Sequence, residues 1–318
     1  MRRVKDERGA VSVMVALLMV VLVGFAALSV DVAGMWSQRQ QLQTGADAGA
    51  LAVAQDCAAG DCKLPTTTAQ GYASQNVNAT GITATILTPA LSPTSGEVTV
   101  ETAGVRQHAF APVLGVQSTQ LSAQATASWG RPSGGIAVLP LAFSWCEFLA
   151  QTGGGIPTTS TERLIKFTKT SGVVGCTGPS GNVVPGGFGW LNTDSNTTCH
   201  STSAIDDTLY SSTGVAVPNG CTTDDFVALR NETVLLPLFD QGGDSGANAW
   251  YHVYGYAAFT ITGYNFGGQY SWSMPASTCK GQDRCIRGYF TKFVSLAEAF
   301  TYSTSAPQLG TSVVTLTN

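Results

Sequence analysis

The residues of this sequence best suited to chemistry are its eight cysteines, an even number that all follow a long apolar run near the N-terminus. Such a set is typical of disulfide bonds in exported proteins. The shortest spacings predict two local pairs, Cys57 with Cys62 and Cys279 with Cys285, which leaves the other four to pair among themselves. The full set is Cys57, Cys62, Cys146, Cys176, Cys199, Cys221, Cys279 and Cys285.

Zinc is the alternative ligand for the same thiols, because cysteine and histidine are the usual zinc-binding residues. Only one histidine, His200, stands beside a cysteine. Disulfides are therefore the preferred interpretation, and no bound metal is predicted from the cysteines.

A second pattern that could do chemistry is Gly243-Asp244-Ser245-Gly246, which matches the core of the nucleophile signature of chymotrypsin-like proteases. A serine nucleophile also needs a histidine base and an orienting acid. His108 and His200 precede the motif, but neither stands in the sequence context of a protease base, and the motif is not followed by Gly-Pro. A polar loop explains the same residues.

Calcium is a further possibility near this motif, since Asp240, Asp244 and Asn248 supply oxygen atoms at intervals of four residues. The spacing lacks the pattern and the terminal glutamate of an EF-hand loop, so a solvated turn is preferred. No phosphate-binding glycine loop and no H-E-x-x-H motif occurs. We therefore expect a protein that is not an enzyme and has no cofactor.

The element that must position the rest is an uncharged, proline-free apolar run from Ala10 to Val30. A helix of about 20 residues crosses a hydrocarbon core of about 30 Å. Arg2, Arg3, Lys5 and Arg8 precede the run and Asp31 follows it, so the positive-inside bias predicts a cytoplasmic N-terminus, residues 1–9, and an extracytoplasmic remainder. A cleaved signal peptide is the alternative, but the run is long and a good cleavage site is missing behind it.

The helix is expected to continue beyond the run as a stalk over residues 31–59, because proline is absent and alanine, glutamine and leucine are frequent. A thin apolar stripe of helical period, Met35, Leu42, Ala46, Gly49 and Val53, has small residues that suit close packing. It could pack against another protein's helix or only against its own domain.

Several motifs of this N-terminal region resemble the TadE/TadG-like family of Flp (tight adherence) pilus-assembly proteins. They are Arg8-Gly9-Ala10-Val11, the apolar run ending in Val30-Asp31-Val32, the triplet Gln41-Leu42-Gln43, and Ala46-Asp47-Ala48-Gly49-Ala50-Leu51-Ala52. The resemblance implies a single-pass envelope protein of a pilus-assembly system. It marks Gly9, Asp31, Leu42, Ala46, Asp47 and Leu51 as candidate residues for membrane and stalk interactions, with other pilus-assembly proteins as partners of the helix.

One departure separates the chain from the pilin-like members of this family. Prepilin peptidases cut after a glycine and favour glutamate five positions beyond it, whereas the fifth residue after Gly9 is Met14. The resemblance therefore favours the TadG-like branch, which is retained as an anchor, over a pilin processed after Gly9.

The remainder of the chain reads as mainly β. Residues 60–130 predict a small α/β segment, residues 130–135 (Gly-Arg-Pro-Ser-Gly-Gly) a linker, and residues 131–318 a larger β-rich domain with aromatic strands such as 250–264. The predicted fold class is thus α+β, with a long transmembrane and stalk helix before a disulfide-stapled, mainly β extracytoplasmic region. The net charge is −4, and the basic residues that follow the N-terminal segment are scattered, which argues against nucleic acid as a partner.

The leading functional hypothesis is a membrane-anchored, non-enzymatic protein that assists assembly or surface presentation of a Tad-type pilus. Two alternatives remain open at this point. One is a surface adhesin that binds its ligand through exposed aromatic residues between Trp250 and Tyr270, and the other is a pilin-like subunit released by cleavage after Gly9.

Overall fold

One helix dominates the N-terminal part of the chain. The computed structural model describes residues 8–79, 81–88, 90–167, 175–211, 214–244, 248–275, 277–279, 282–296 and 299–317. Helix α1, Arg8–Ala58, runs without a break through 51 residues. The predicted continuation of the helix beyond the apolar run is therefore confirmed.

The end of α1 is set by covalent and backbone chemistry. Cys57 forms a disulfide with Cys62 across a turn in which Gly60 adopts a φ of 101°, a conformation that glycine accepts readily. Pro65 then starts α2, Pro65–Asn76, at a position where its missing N–H costs no helical hydrogen bond.

Three shorter helical segments and fifteen strands complete the described chain. The helical segments are the 3-10 turn Ala111–Leu114, α3, Trp145–Thr152, and α4, Thr223–Ala228. The strands are β1 Thr83–Ile86, β2 Gly96–Gln107, β3 Ser118–Ala137, β4 Leu141–Ser144, β5 Arg163–Lys166, β6 Phe188–Trp190, β7 Ser201–Ala204, β8 Thr208–Tyr210, β9 Thr233–Gly243, β10 Trp250–Gly267, β11 Tyr270–Trp272, β12 Cys285–Thr291, β13 Phe293–Ser295, β14 Phe300–Ser303 and β15 Thr311–Leu316.

The strands form two sheets. The first, which we call the helix-bearing sheet, has the order β1-β2-β3-β15-β13, with β14 and β7 added on β3. The second, the aromatic sheet, has the order β5-β12-β10-β9-β4-β6, with β11 and β8 added on β10. Most pairs are antiparallel, and the parallel ones are β13 with β15 and β4 with β9. The predicted α+β class with a mainly β region is confirmed.

Each sheet has its own hydrophobic core. Between the helix-bearing sheet and the two N-terminal helices lie small side chains of α1 and α2 together with Val98, Val100 and Trp129. The aromatic sheet buries Phe143, Phe259 and Phe290, whose ring centroids lie 4.6 to 5.4 Å apart. The two cores therefore differ in side-chain size, because alanine and valine predominate in the first, with Trp129 as an exception, and aromatic rings are frequent in the second.

Residues 130–135, predicted as a linker, instead lie within β3. The first part of β3 pairs with β2 and β15, and its last residues pair with β14 and β7. The glycines serve close packing here, since a Cβ at Gly130 would lie 2.6 Å from Cδ2 of Tyr302 and one at Gly134 would lie 3.1 Å from the Ala204 Cβ. Strand β15, from the C-terminal end of the chain, pairs with β3 and so belongs to the same sheet as the strands of residues 60–130.

Candidate functional site: the helix at the membrane boundary

The N-terminal half of α1 has no protein around it. Residues 11–30 are exposed throughout, except for the partly buried Ala27. In the described part of the chain, α1 is the one helix long and apolar enough to cross a membrane, with a mean hydropathy of 2.8 in its most apolar window. Exposed apolar side chains over this length have lipid as their natural neighbour, which supports a role of the helix as a membrane anchor.

The exposed half ends at Asp31, the first residue after the apolar run, and this side chain is only 4% exposed. Its carboxylate accepts hydrogen bonds from the backbone N–H groups of Ala109, Phe110 and Ala111, with distances of 2.8, 2.9 and 2.7 Å. Three donors on one carboxylate fix the loop between β2 and β3 to α1. Asp31 therefore ties a hairpin tip to the end of the exposed apolar run.

The electrostatics of this contact favour the charged form of Asp31. Burial of the carboxyl raises its pKa, but the N–H donors of Ala109, Ala111 and Phe110, and the nearby His108, lower it by more. The pKa of Asp31 consequently lies below its usual value of 3.8. At neutral pH the contact is a charge-assisted one, which is the strong class of hydrogen bond.

Further along α1, from Leu42 onwards, one face of the helix is packed against its own chain. Leu42 and Ala46 are fully buried, and Leu51 is partly buried against the same small-residue core. The hydroxyl of Thr102 donates to the Leu42 carbonyl oxygen at 2.8 Å, which joins the helix to β2. The predicted stripe thus finds its partner within the chain, so Leu42 and Ala46 are not available to a second protein.

Two glycines permit this close packing. A Cβ at Gly45 would lie 3.3 Å from the Cα of Ala73, and one at Gly49 would lie 3.4 Å from the Cα of Ala69. Ala69 and Ala73 belong to α2, so the small stripe of α1 accepts α2 at backbone distance.

The remaining predicted residues are spread along the helix rather than gathered at one place. Asp47 accepts a hydrogen bond from the Gln43 amide at 2.9 Å, and the same amide donates to the Gln124 carbonyl oxygen at 2.9 Å. Gly9 is the second residue of α1, about 33 Å along the helix axis from Asp31. The six residues are therefore distributed along and around the helix and do not line one pocket.

Sequence reasoning missed the hairpin tip that Asp31 holds. The exposed apolar side chains there are Phe110, Val113, Leu114 and Val116, of which Val113 is 90% exposed. A signal was present, because the eight residues from Ala109 to Val116 contain no charged or hydroxyl side chain, unlike an ordinary turn.

Four disulfides staple the region beyond the membrane run. They join Cys57 to Cys62, Cys146 to Cys176, Cys199 to Cys221, and Cys279 to Cys285. The disulfide-stapled character predicted for the β region is confirmed. All eight thiols are used in these bonds, which leaves none as a metal ligand.

The other candidate chemistry is not assembled in the described residues. Within them, no group of three or more histidine, cysteine, aspartate or glutamate side chains could hold a metal ion. Asp240 is buried and pairs with Nδ1 of His252 at 3.0 Å, while its second oxygen accepts the N–H of Ser180 at 3.1 Å. Ser245 and Gly246 of the protease-like motif lie outside the described residues.

The aromatic residues invoked for an adhesin are largely structural. Between Trp250 and Tyr270, a stretch that the structure describes completely, each aromatic side chain is buried or partly buried. Tyr256 illustrates the pattern, because its hydroxyl donates to the Ser203 carbonyl oxygen at 2.6 Å and burial raises its pKa to about 12. The strand does not present an exposed aromatic surface.

Helix α1 is the part of the chain for which comparison with known proteins finds a match. Residues 9–56 match the model of a family described as putative Flp pilus-assembly TadE/G-like. No curated protein and no solved structure matches the chain. The match ends two residues before α1 does and covers both the exposed and the packed part of the helix. The similarity to this family of TadE/G-like Flp pilus-assembly proteins therefore falls on helix α1.

Proposed function

We propose that the chain is a single-pass, non-enzymatic membrane protein that assists the assembly or surface presentation of a Tad-type pilus. The observation that carries the proposal is that the family match falls on one continuous helix, which is apolar and exposed over residues 11–30 and packs one face into the domain from Leu42 onwards. Such a helix couples a membrane anchor rigidly to a folded domain. An assembly factor needs this coupling if it is to hold its domain at a fixed place beside the membrane.

The proposed orientation puts the N-terminus in the cytoplasm and the β region outside it. Its support is the basic segment before the apolar run, with Arg2, Arg3, Lys5 and Arg8, and the acidic Asp31 behind it. The four disulfides agree with this side, because such bonds persist in oxidising compartments outside the cytoplasm.

Partner helices of the pilus system are proposed to meet the exposed part of α1 rather than its packed part. The exposed face around the membrane boundary carries Phe25, Leu28, Val32 and Trp36, which line a shallow groove of about 500 Å³. The packed face is closed by α2 and β2, as described for Leu42 and Ala46. Contacts between membrane helices depend on surface shape, so the sequence of the spanning run is expected to matter beyond its hydropathy.

The function is tested by deleting the gene in its bacterial host and counting surface pili after complementation. The full chain should restore pili, and residues 31–318 released behind a cleavable signal should not. A third variant replaces residues 11–30 by an unrelated leucine–alanine spanning helix, which keeps the anchor but changes the helix surface. We expect this variant to reach the membrane and to restore few pili.

Normal piliation of the deletion strain would contradict a role in pilus assembly. Restoration by the released domain would show that the anchor is dispensable. Full restoration by the leucine–alanine variant would remove the proposed helix contacts and leave anchoring alone.

A further inference from the structure

The tip between β2 and β3 is an exposed apolar surface that the packing of the domain does not use. Phe110, Val113, Leu114 and Val116 are 47%, 90%, 69% and 48% exposed, and they lie within seven consecutive residues. Their backbone is well fixed, since the 3-10 turn and the three N–H bonds to Asp31 hold it. Apolar residues clustered on a rigid, exposed tip usually mark an interaction surface.

The position of the tip follows from the direction of β2 along α1. Thr102 of β2 contacts Leu42, Arg106 lies against Gly34, and residues 109–111 bind Asp31. The later a residue lies in β2, the earlier its contact lies in α1. The hairpin therefore points along the helix towards the spanning run, and Asp31 sets the tip level with the end of that run.

The surroundings of the tip have the composition of a membrane interface. Trp36, one helical turn or so beyond Asp31, is 68% exposed, and tryptophan is enriched where a membrane meets water. The guanidinium of Arg106 lies beside Gly34, on the domain side of the tip, where lipid phosphates would be. Charge is absent from the tip itself and appears just behind it, as expected at an interfacial contact.

We infer that residues 110–116 dip into the same membrane that α1 spans, so that the domain contacts lipid at two places rather than one. Lipid is the occupant that the geometry favours, because the tip is continuous with the spanning run and is held at its end by Asp31. A second contact fixes the tilt and rotation of the domain relative to the bilayer, which a single helix leaves free. The inference rests on the membrane anchoring of the proposed function.

The test measures the depth of single labelled positions in the full chain reconstituted into phosphatidylcholine–phosphatidylglycerol vesicles. Since the native cysteines are all in disulfides, one added cysteine can carry an environment-sensitive fluorophore. The three variants are Val113→Cys at the tip, Val20→Cys in the spanning run, and Thr94→Cys as the control. Thr94 is exposed and lies just before the opposite end of β2, about 36 Å or more from the tip.

Quenching by lipids with a nitroxide high on the acyl chain is compared with quenching by aqueous iodide. We expect the labels at 20 and 113 to be quenched severalfold more by the lipid nitroxide than the label at 94, and the label at 94 to be quenched chiefly by iodide. A label at 113 that behaves like the label at 94, while the label at 20 remains lipid-quenched, would overturn the second contact and leave the anchor intact.

Two other outcomes would also overturn the inference. Protection of the label at 113 from both quenchers would mean that a second copy of the chain covers the tip. Absence of lipid quenching at position 20 would remove the membrane anchor itself, and the proposed function with it.

Discussion

At the scale of single residues, Asp31 shows what the sequence could and could not reveal. Its place directly behind an apolar run predicted a boundary residue, and the family resemblance pointed to it as well. Its partners could not be predicted, because the backbone donors of Ala109, Phe110 and Ala111 lie 78 to 80 residues away in the chain. A carboxylate bound by backbone N–H groups leaves no side-chain pattern in the sequence to reveal it.

Asp31→Asn should loosen the hairpin tip without unfolding the domain. The asparagine amide can accept hydrogen bonds through one atom only, and its NH2 group would face donors that the second carboxylate oxygen now satisfies. Hydrogen exchange should therefore become faster at residues 109–111 and stay unchanged in β10. Asp47→Asn is the matched control, since the Asp47 carboxylate accepts its hydrogen bond from the side-chain amide of Gln43 and not from a backbone N–H of the hairpin.

The same contact should respond to acid. Because the pKa of Asp31 is lowered in the folded protein, its contribution is complete above the usual carboxyl pKa of 3.8 and is lost as the pH falls through the still lower folded value. Protection of residues 109–111, corrected for intrinsic exchange, should hold from neutral pH down to about pH 4 and decline below it. In Asp31→Asn this decline should disappear, and its persistence there would assign it to another group.

At the scale of elements, α1 is one helix with two environments. Its length, its small-residue stripe and its exposed apolar half were all predictable from helical period and composition. The partner of the stripe was not, because glycine and alanine suit any close helix contact, whether it lies in another protein or in α2. Only the tertiary structure shows that Gly45 and Gly49 face α2.

Gly45→Leu should lower stability by separating α1 from α2. The atom nearest to the new Cβ is the backbone Cα of Ala73, which cannot rotate away, and overpacking of this kind costs about 1–3 kcal/mol. Gly71→Leu is the matched control, a helical glycine whose Cβ would meet nothing within 4 Å and which should gain up to about 1 kcal/mol from helix propensity. Denaturation of both variants in detergent micelles measures the difference, and equal stabilities would contradict the packing described.

At the scale of the whole molecule, strands from the C-terminal part of the chain pair with β3 in the helix-bearing sheet. Composition predicted a linker at 130–135 because glycine and proline often mark one, but the same glycines allow β14 and β7 to lie against β3. The closing strand β15 could not be placed in a sheet from the sequence. Its place between β3 and β13 depends on pairing across more than 180 residues, which no local pattern specifies.

Truncation after Gly310 should therefore weaken the N-terminal core, although the cut lies at the other end of the chain. It removes Val313 and Val314, which are 0% and 1% exposed, and their burial is worth about 3–6 kcal/mol together. Hydrogen exchange in residues 42–54 and 123–129 should become much faster. Truncation after Leu316 keeps β15 and is the control, and unchanged protection after the longer deletion would contradict the role of β15.

The central claim is that a retained membrane helix carries a disulfide-stapled domain, and the intact mass of the protein extracted from its host membrane tests it most directly. We predict the mass of a chain that still includes residues 1–30, close to 33.0 kDa, in the membrane fraction. Full reduction should add about 8 Da, two hydrogens for each of four disulfides. A chain that begins at Ala10, or a soluble one that begins after Val30, would contradict the claim, the first as a processed pilin-like subunit and the second as a secreted protein.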